Sequence, residues 1–527
     1  MFYTYTDLSC IGGLRVMKKV LVVIAVVCCL IFISCEATVS LSESYNFEPV
    51  FRQKQYLDLP PPWFPDMIYE EAIARRMSVR QFSDDKVSLE NISTILWGVY
   101  GNFNGTRSIE TFDGRHVIKV YVLLEDGAYE YLPINHTLAL VRPGDHRKIG
   151  QYDTAAFKLG FVWDKSVCNN QSIAAAEIGM IGQNVYLMAN ALGLGTVTTA
   201  LLTNQLYLLY LPLSEKPMII MQIGYPLNPY YFTYEPFESG LPFPKNSSKS
   251  FVDAVFQKQR WPYLSGDLSK DIISQVLWAG YGTSFLIDNI NGKRHRSVPS
   301  SIGKYPLEIL FANSSGLYNY RPYNHSLNIL SNGDVREKVA SASFPWVSSA
   351  DVFLIVLNTS KSNMSWAWYY EAGAIWHNML LEAGIFGLSA NVIVDFDHEM
   401  ITNELQLKGY LPLIILQMGQ QNGSDDESPE LSITFPESGY LYFFGSKIGN
   451  SVKTVIIGIL KAEIQVIDDS LLMVEYYIND KLFAEQYWGP TEVNIPRFFF
   501  KNCEFKVIAL DYFGHSSEAI INFIKIF

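Results

Sequence analysis

The sequence predicts an α+β chain in which one mixed unit is used twice and an all-β module follows. Three observations predict it. Residues recur in preserved order over a unit of roughly 180 residues. Within each copy the apolar period switches between that of a helix and that of a strand. Past residue 440 only short alternating runs remain. With 527 residues, 49% hydrophobic and 17% charged, there is material for several buried cores, which excludes wholesale disorder. The net charge of -12 leaves no basic footprint, which excludes nucleic acid as a partner.

Taken in order, residues 1–36 form a signal peptide or N-terminal anchor. Val20 to Ile33 is an apolar run, behind Lys18 and Lys19 and ahead of Ser34, Cys35, Glu36 and Ala37. It falls short of the roughly 20 residues that cross a bilayer, and Cys35 leaves lipid anchoring open. Ten Asn-x-Ser/Thr sequons, from Asn91 to Asn422, join this leader in implying a secreted or membrane-anchored, extracytoplasmic protein. Only Cys168 and Cys503 lie beyond the leader, so there is no disulfide framework.

The first unit spans 50–235, with a helix over Leu89–Tyr100, strands over Val117–Leu124 and Ala128–Tyr131, and a long helix from Ile173 to Leu192. The second spans 251–425 and repeats these at Lys270–Tyr281, Leu307–Ala312, Leu317–Tyr320 and Trp368–Ala383. Residues 95–101 answer 276–282, Tyr131 to Leu138 answers Tyr320 to Leu327, and Glu177, Gly179 and Asn184 answer Glu371, Gly373 and Asn378. Helices over a largely antiparallel sheet follow from this pattern. Glu235 to Ser250 connects the copies, and Gln420 to Ser438 ends the second. Residues 440–527 show strands at Ala462–Ile467, Val474–Ile478, Phe505–Leu510 and Ala519–Ile524, with Asn479-Asp480 at a hairpin turn, which predicts a small β-sandwich.

Two segments carry chemistry. In Arg76-Met77-Ser78-Val79-Arg80, two guanidiniums flank a hydroxyl at alternate positions, so an extended backbone aims all three at one anionic group. In the second copy, Pro299, Ser300, Ser301 and Gly303 form a turn of hydroxyls that lets a planar ligand approach the backbone closely.

These motifs, the leucine-tryptophan helices, the Tyr-x-Pro-x-Asn-His hairpins and the Ala191-Leu-Gly-Leu-Gly-Thr-Val197 segment together resemble the nitroreductase superfamily over residues 65–420, nearest its SagB-type and thiazoline/oxazoline dehydrogenase branch. The resemblance implies an FMN-dependent oxidoreductase that transfers hydride through a flavin held between two subunits. It implies that Arg76, Ser78 and Arg80 grip the FMN phosphate and ribityl chain, and that Pro299, Ser300, Ser301 and Gly303 cover the flavin. The helix end Gly195 to Leu201, with Thr198, Thr199 and Ala200, would pass its backbone along the ring. A small-molecule or peptide substrate and a separate electron donor or acceptor are implied as partners. The stretch Val474 to Phe527 resembles immunoglobulin-like modules, with attachment to a membrane or cell surface as the companion expectation.

The copies differ in a complementary way. Where the second copy should carry its phosphate grip, sequence offset places Gln257, Gln259 and Trp261; where the first should carry the turn, it has Glu110-Thr-Phe-Asp-Gly114. Both losses fall in one composite site, which predicts a monomeric pseudo-dimer with one FMN per chain. Departures from the family pattern are Thr198 in place of proline and the absence of a Lys-x-Arg tail after Gly224. Lys304-Tyr305 adjoins the turn but suits strand-edge packing better than catalysis. The eight scattered histidines predict no metal, and His136 and His325 should pin their hairpins. The competing expectation is a non-catalytic surface-binding protein that keeps the fold.

Overall fold

The computed structural model describes residues 55–527 apart from 104–105, 112–114, 262, 395, 469, 488–491, 497–500 and 527. The leader or anchor expected over residues 1–36 lies outside them, as does most of the Glu110–Gly114 turn. Among the described residues no helix is long and apolar enough to cross a membrane, and Cys168 and Cys503 are both buried.

In the first repeat the elements are β1 (Tyr56–Asp58), α1 (Tyr69–Ala74), α2 (Leu89–Tyr100), β2 (Ile118–Leu123), β3 (Gly127–Leu132), β4 (Thr137–Pro143), β5 (Phe157–Asp164), α3 (Gln171–Ala191), β6 (Gly195–Thr199), β7 (Glu215–Gly224) and β8 (Phe232–Tyr234). The second contains α4 (Phe251–Gln257), β9 (Leu264–Ser265), α5 (Lys270–Tyr281), β10 (Thr283–Asp288), β11 (Arg294–Arg296), β12 (Leu307–Asn313), β13 (Gly316–Arg321), β14 (Ser326–Asn332), β15 (Asp351–Asn358), α6 (Trp366–Ile385), β16 (Ser389–Ile393) and β17 (Tyr410–Gln421). Ser88 and Ser269 cap α2 and α5 by accepting from the amides of Asn91 and Ile272, which satisfies donors that a helix start leaves open. Each repeat forms an antiparallel sheet with the same strand order, β4-β3-β2-β5-β7-β6 in the first and β14-β13-β12-β15-β17-β16 in the second.

The repeats interlock about a pseudo-twofold, in the manner of an isologous pair. The long helices α3 and α6 cross where Gly179 meets Gly373; a methyl at either would fall well inside contact distance of the other helix's backbone, at Tyr370 O or Ala176 O. Asn184 Nδ2 donates to Gly98 O at 2.9 Å and Asn378 Nδ2 to Ala279 O at 2.8 Å. Strand β8 leaves the first repeat to pair antiparallel with β10 of the second. Each hairpin is pinned by its histidine: His136 bonds Ser93 Oγ at 2.7 Å and Tyr131 OH at 2.9 Å, and His325 bonds Ser274 Oγ at 2.6 Å and Tyr320 OH at 2.8 Å. Burial without a neighbouring anion holds the His325 imidazole down at about 4, so it works as a neutral hydrogen-bonding post.

The C-terminal module is all β: β18 (Glu430–Phe435), β19 (Tyr440–Phe443), β20 (Ser446–Asn450), β21 (Thr454–Ile457), β22 (Lys461–Ile467), β23 (Leu471–Ile478), β24 (Lys481–Tyr487), β25 (Glu492–Asn494), β26 (Lys501–Asp511) and β27 (Ser516–Ile526). They form the sheets β18-β22-β25 and β20-β19-β21-β27-β26-β23-β24 around one shared core. Asn479 and Asp480 both take positive φ at the β23–β24 turn, as their position in the sequence suggested. The stretch Gln420–Ser438, expected to end the second copy, also contributes β18 to the C-terminal module, because Leu431 and Ile433 alternate inward against β22.

Candidate functional site

The segment after α1 carries Arg76 into the second repeat. Its side chain is 3% exposed, Nε donates to Arg296 O at 2.7 Å, and the guanidinium lies 5.1 Å from the Tyr186 ring. Nη1 is buried with no hydrogen-bond partner. Arg296, at the end of β11, is equally enclosed: Nη2 donates to Tyr281 O at 2.7 Å and Nε to Gly282 O at 3.2 Å, while the rings of Tyr281 and Tyr305 stand 4.2 and 4.7 Å from its guanidinium. Two buried guanidiniums thus sit at one junction of the repeats with no carboxylate partner among the described residues. Such charges are tolerated when an anion completes them. The orphaned Nη1 therefore fits the phosphate of a nucleotide cofactor.

A line of hydroxyls runs from this cation. Ser78 Oγ bonds Tyr186 OH at 3.0 Å, Tyr186 OH accepts from the Thr198 amide at 3.1 Å, and Thr198 Oγ1 bonds Tyr370 OH at 2.9 Å. Ser300 Oγ donates to Glu371 Oε2 at 2.5 Å and accepts from the Tyr305 amide at 2.9 Å. Tyr281 OH also donates to Glu371. Burial pushes the Glu371 carboxyl up to about 7, against the lowering pull of Ser300, Tyr281 and Arg296. In the first repeat Glu177 takes Tyr100 OH and the Val117 amide. Pro306 stands where Val117 does and has no N–H, so the Ser300 hydroxyl replaces that donor and fixes the turn.

The structure gathers Arg76, Ser78, Thr198 and Ser300 around the junction, with Pro299 buried beneath the turn. Others lie elsewhere. Arg80 is exposed, with only a long contact to Ser78 O at 3.4 Å. Ser301 and Gly303 are exposed around Ile302, which is 95% exposed. Thr199 turns into the sheet, where Oγ1 bonds Ile220 O and Gln222 Nε2, each at 3.0 Å, and Ala200 is exposed beyond it. Gly195 to Thr199 is not a helix end but the edge strand β6, because Gly193 takes positive φ and turns the chain onto β7. Tyr186 escaped the sequence reading; Tyr305 entered it only as strand-edge packing beside the turn, and Arg296 only as the first residue of the second-copy turn segment.

The second junction corrects the sequence offset. Ile68 bridges Ser250 antiparallel, which makes those two residues equivalent under the pseudo-twofold. Lys258 and Arg260, not Gln257 and Gln259, then match Arg76 and Ser78. Lys258 Nζ donates to Arg107 O at 2.6 Å as Arg76 donates to Arg296 O. Here, however, Glu110 Oε1 lies 2.9 Å from Nζ, and Arg260 Nη1 donates to Thr111 O at 3.0 Å. Trp261, beside the grip, packs edge-on against Tyr512 and Phe513 of the C-terminal module at 5.6 and 5.0 Å.

The nitroreductase family model matches residues 73–225 and 259–420, one match per repeat. The chain belongs to the nitroreductase family. A putative nitroreductase of Methanocaldococcus jannaschii is 26% identical over 195 residues, 32% of this chain and 96% of the relative. A putative nitroreductase structure from Anabaena variabilis shares the fold with a TM-score of 0.52 at 12% identity, covering 73% of this chain and 97% of its own. Another from Ralstonia eutropha is 29% identical over 34% of this chain and 93% of its own, with a TM-score of 0.31. Within a nitroreductase, an oxidoreductase family, the junction that holds Arg76 is where a flavin-type cofactor is to be sought.

Proposed function

We propose that this nitroreductase is an FMN-dependent oxidoreductase of the SagB-type dehydrogenase kind, with one flavin per chain at the Arg76 junction. The observation that carries the reading is the buried Arg76 guanidinium with its orphaned Nη1. Bound FMN would supply reversible hydride acceptance, the part of the chemistry that no side chain here performs. Arg76 offers the phosphate a desolvated charge, and Arg80, at the exposed end of the same segment, can swing onto it. Tyr186, Thr198 and Tyr370 give an ordered row of hydroxyls for polar atoms of the cofactor. Glu371 holds the Ser300 turn by accepting from its hydroxyl.

The run Val20 to Ile33 and the sequons support an extracytoplasmic location, which favours oxidation of a small-molecule or peptide substrate over use of free nicotinamide. The two sheets around one core support an immunoglobulin-like attachment module. A second reading, a binding scaffold without catalysis, draws on the exposure of Arg80 and of the turn tip at Ile302. Expression of the chain without its first 36 residues and a visible spectrum separate the two. A flavin band near about 450 nm, lost in Arg76→Ala, is expected; absence of the band even after incubation with FMN would leave the scaffold.

A further inference from the structure

Beside the Ser300 turn the second repeat opens a cleft of ≈ 670 Å³, walled by Arg296, Lys304, Tyr305, Pro322, Tyr323 and Lys361 among others. The corresponding positions of the first repeat, Arg107, Arg115, His116, Pro133, Ile134 and Val167, wall a smaller space of ≈ 300 Å³. The correspondence is structural as well as sequential. Arg107 lies over the Tyr100 ring at 5.2 Å as Arg296 lies over Tyr281 at 4.2 Å, and β2 and β12 start at matching residues.

The two clefts differ in what closes them. Apart from Ser166, the remaining walls of the first come from the C-terminal module, chiefly Phe483 to Gln486 of β24. Among the described residues strand β24 is the last strand of its sheet, pairing with β23. It brings Glu485 Oε1 to 3.4 Å from Arg107 Nε, with both side chains under a tenth exposed. The chain therefore already seats an extended segment in one copy of this cleft, acidic side chain on the stacked arginine.

In the second cleft the matching charge is unmet. Nε and Nη2 of Arg296 are spent on carbonyls, Nη1 makes no hydrogen bond, and among the described residues no carboxylate forms an ion pair with it, although its field reaches Glu371. Lys304, Arg321 and Lys361 add three cations against Glu308 alone. That carboxylate already accepts from Asn319, Asn358, Tyr410 and Lys361, and the bonds from Asn319, Asn358 and Lys361 hold it down at about 2 despite its burial. A surplus of three positive charges in a chain of net charge -12 favours an acidic ligand. The rings of Tyr305 and Tyr323 flank Arg296 at 4.7 and 5.4 Å and supply apolar walls for the ligand's backbone.

We propose that the cleft of the second repeat docks an extended acidic peptide segment, with a Glu or Asp side chain paired to Nη1 of Arg296 as the counterpart of the Glu485–Arg107 pair. The pseudo-twofold places such a segment where β24 lies in the first repeat, as an edge strand contributed by another polypeptide. The proposal holds whether or not flavin binds, since Arg296 faces this cleft through an atom that Arg76 does not use.

The test is fluorescence anisotropy of the whole chain with a fluorescein-labelled hexapeptide copying Leu482 to Tyr487, whose one charged side chain is Glu485, beside the same peptide carrying Glu485→Gln. The first should bind and the second bind about tenfold more weakly, the loss expected of one semi-buried charged contact. Lys304→Ala/Lys361→Ala, a change at the cleft rim, should weaken the acidic peptide at least severalfold and flatten its salt dependence. Equal binding of the two peptides, no binding at millimolar peptide, or displacement by inorganic phosphate at concentrations equal to that of unlabelled peptide would overturn the proposal. Each result is read in apoprotein and in protein pre-incubated with FMN, so that failure to bind flavin and failure to bind peptide stay distinct.

Discussion

Arg76 and Lys258 hold matching places at the two junctions between the repeats, and each donates to the carbonyl of a matching arginine, Arg296 or Arg107. Among the described residues Arg76 has no acidic partner; Lys258 is paired with Glu110, while its neighbours Arg260, Arg107 and Trp261 meet Thr111, Glu485 and Phe513. The comparison shows how a duplicated site is retired. The cationic grip need not be deleted, because supplying the anion from within the chain satisfies it permanently. A buried cation left without such an anion, in the same frame, is the mark of a site still kept for a ligand.

The sharpest way to break the comparison is Lys258→Ala, which takes the buried ammonium from the half-buried Glu110. A loss of about 3–5 kcal/mol in urea unfolding is expected, whereas Lys258→Met/Glu110→Leu should be close to neutral. If the single change costs nothing, the internal ion pair is not what closes this junction. Next in size, Gly179→Ala and Gly373→Ala should each lower stability by about 1–3 kcal/mol, since the pseudo-twofold makes their clashes equivalent. A tolerated methyl at one and not the other would break that symmetry.

Arg76→Gln should reduce FMN affinity by about tenfold to a hundredfold, the value of a charge-assisted bond, with little change in unfolding midpoint. Isothermal titration checks the first part and urea unfolding the second. The smallest effect concerns pH. Because folding raises the Glu371 carboxyl from 4.5 to about 7, the folded chain holds its proton over that interval while the unfolded chain has lost it. That group's contribution is fully present below about pH 4.5 and is lost as pH rises through about 7. Glu371→Gln should therefore flatten the decline in stability across this window, measured by urea midpoints at intervals of pH.

Helices α2 and α5 were legible to the residue, because Ser88 and Ser269 start them and Gly101 and Gly282 stop them. Strand β6 was not. Gly-Thr-Val-Thr-Thr is too short for a period, and it belongs to the sheet only through its ladder with β7. At the site, the Arg-x-Ser-x-Arg segment and the Pro-Ser-Ser turn announced two halves, yet sequence offset misplaced the second grip by one residue. Segments with no shared identities have no register until a backbone bridge such as Ile68 to Ser250 supplies one. The meeting of Glu485 with Arg107 was invisible for another reason. It joins two modules distant in sequence through single side chains, and no local pattern encodes it.

The most direct measurement is the stoichiometry of FMN titrated into apoprotein, for the wild-type chain and for Lys258→Met/Glu110→Leu. One flavin per chain in both, abolished by Arg76→Ala, is the result the account predicts. Two flavins per wild-type chain would contradict it, since the second junction would then admit a ligand past the anion already built into it.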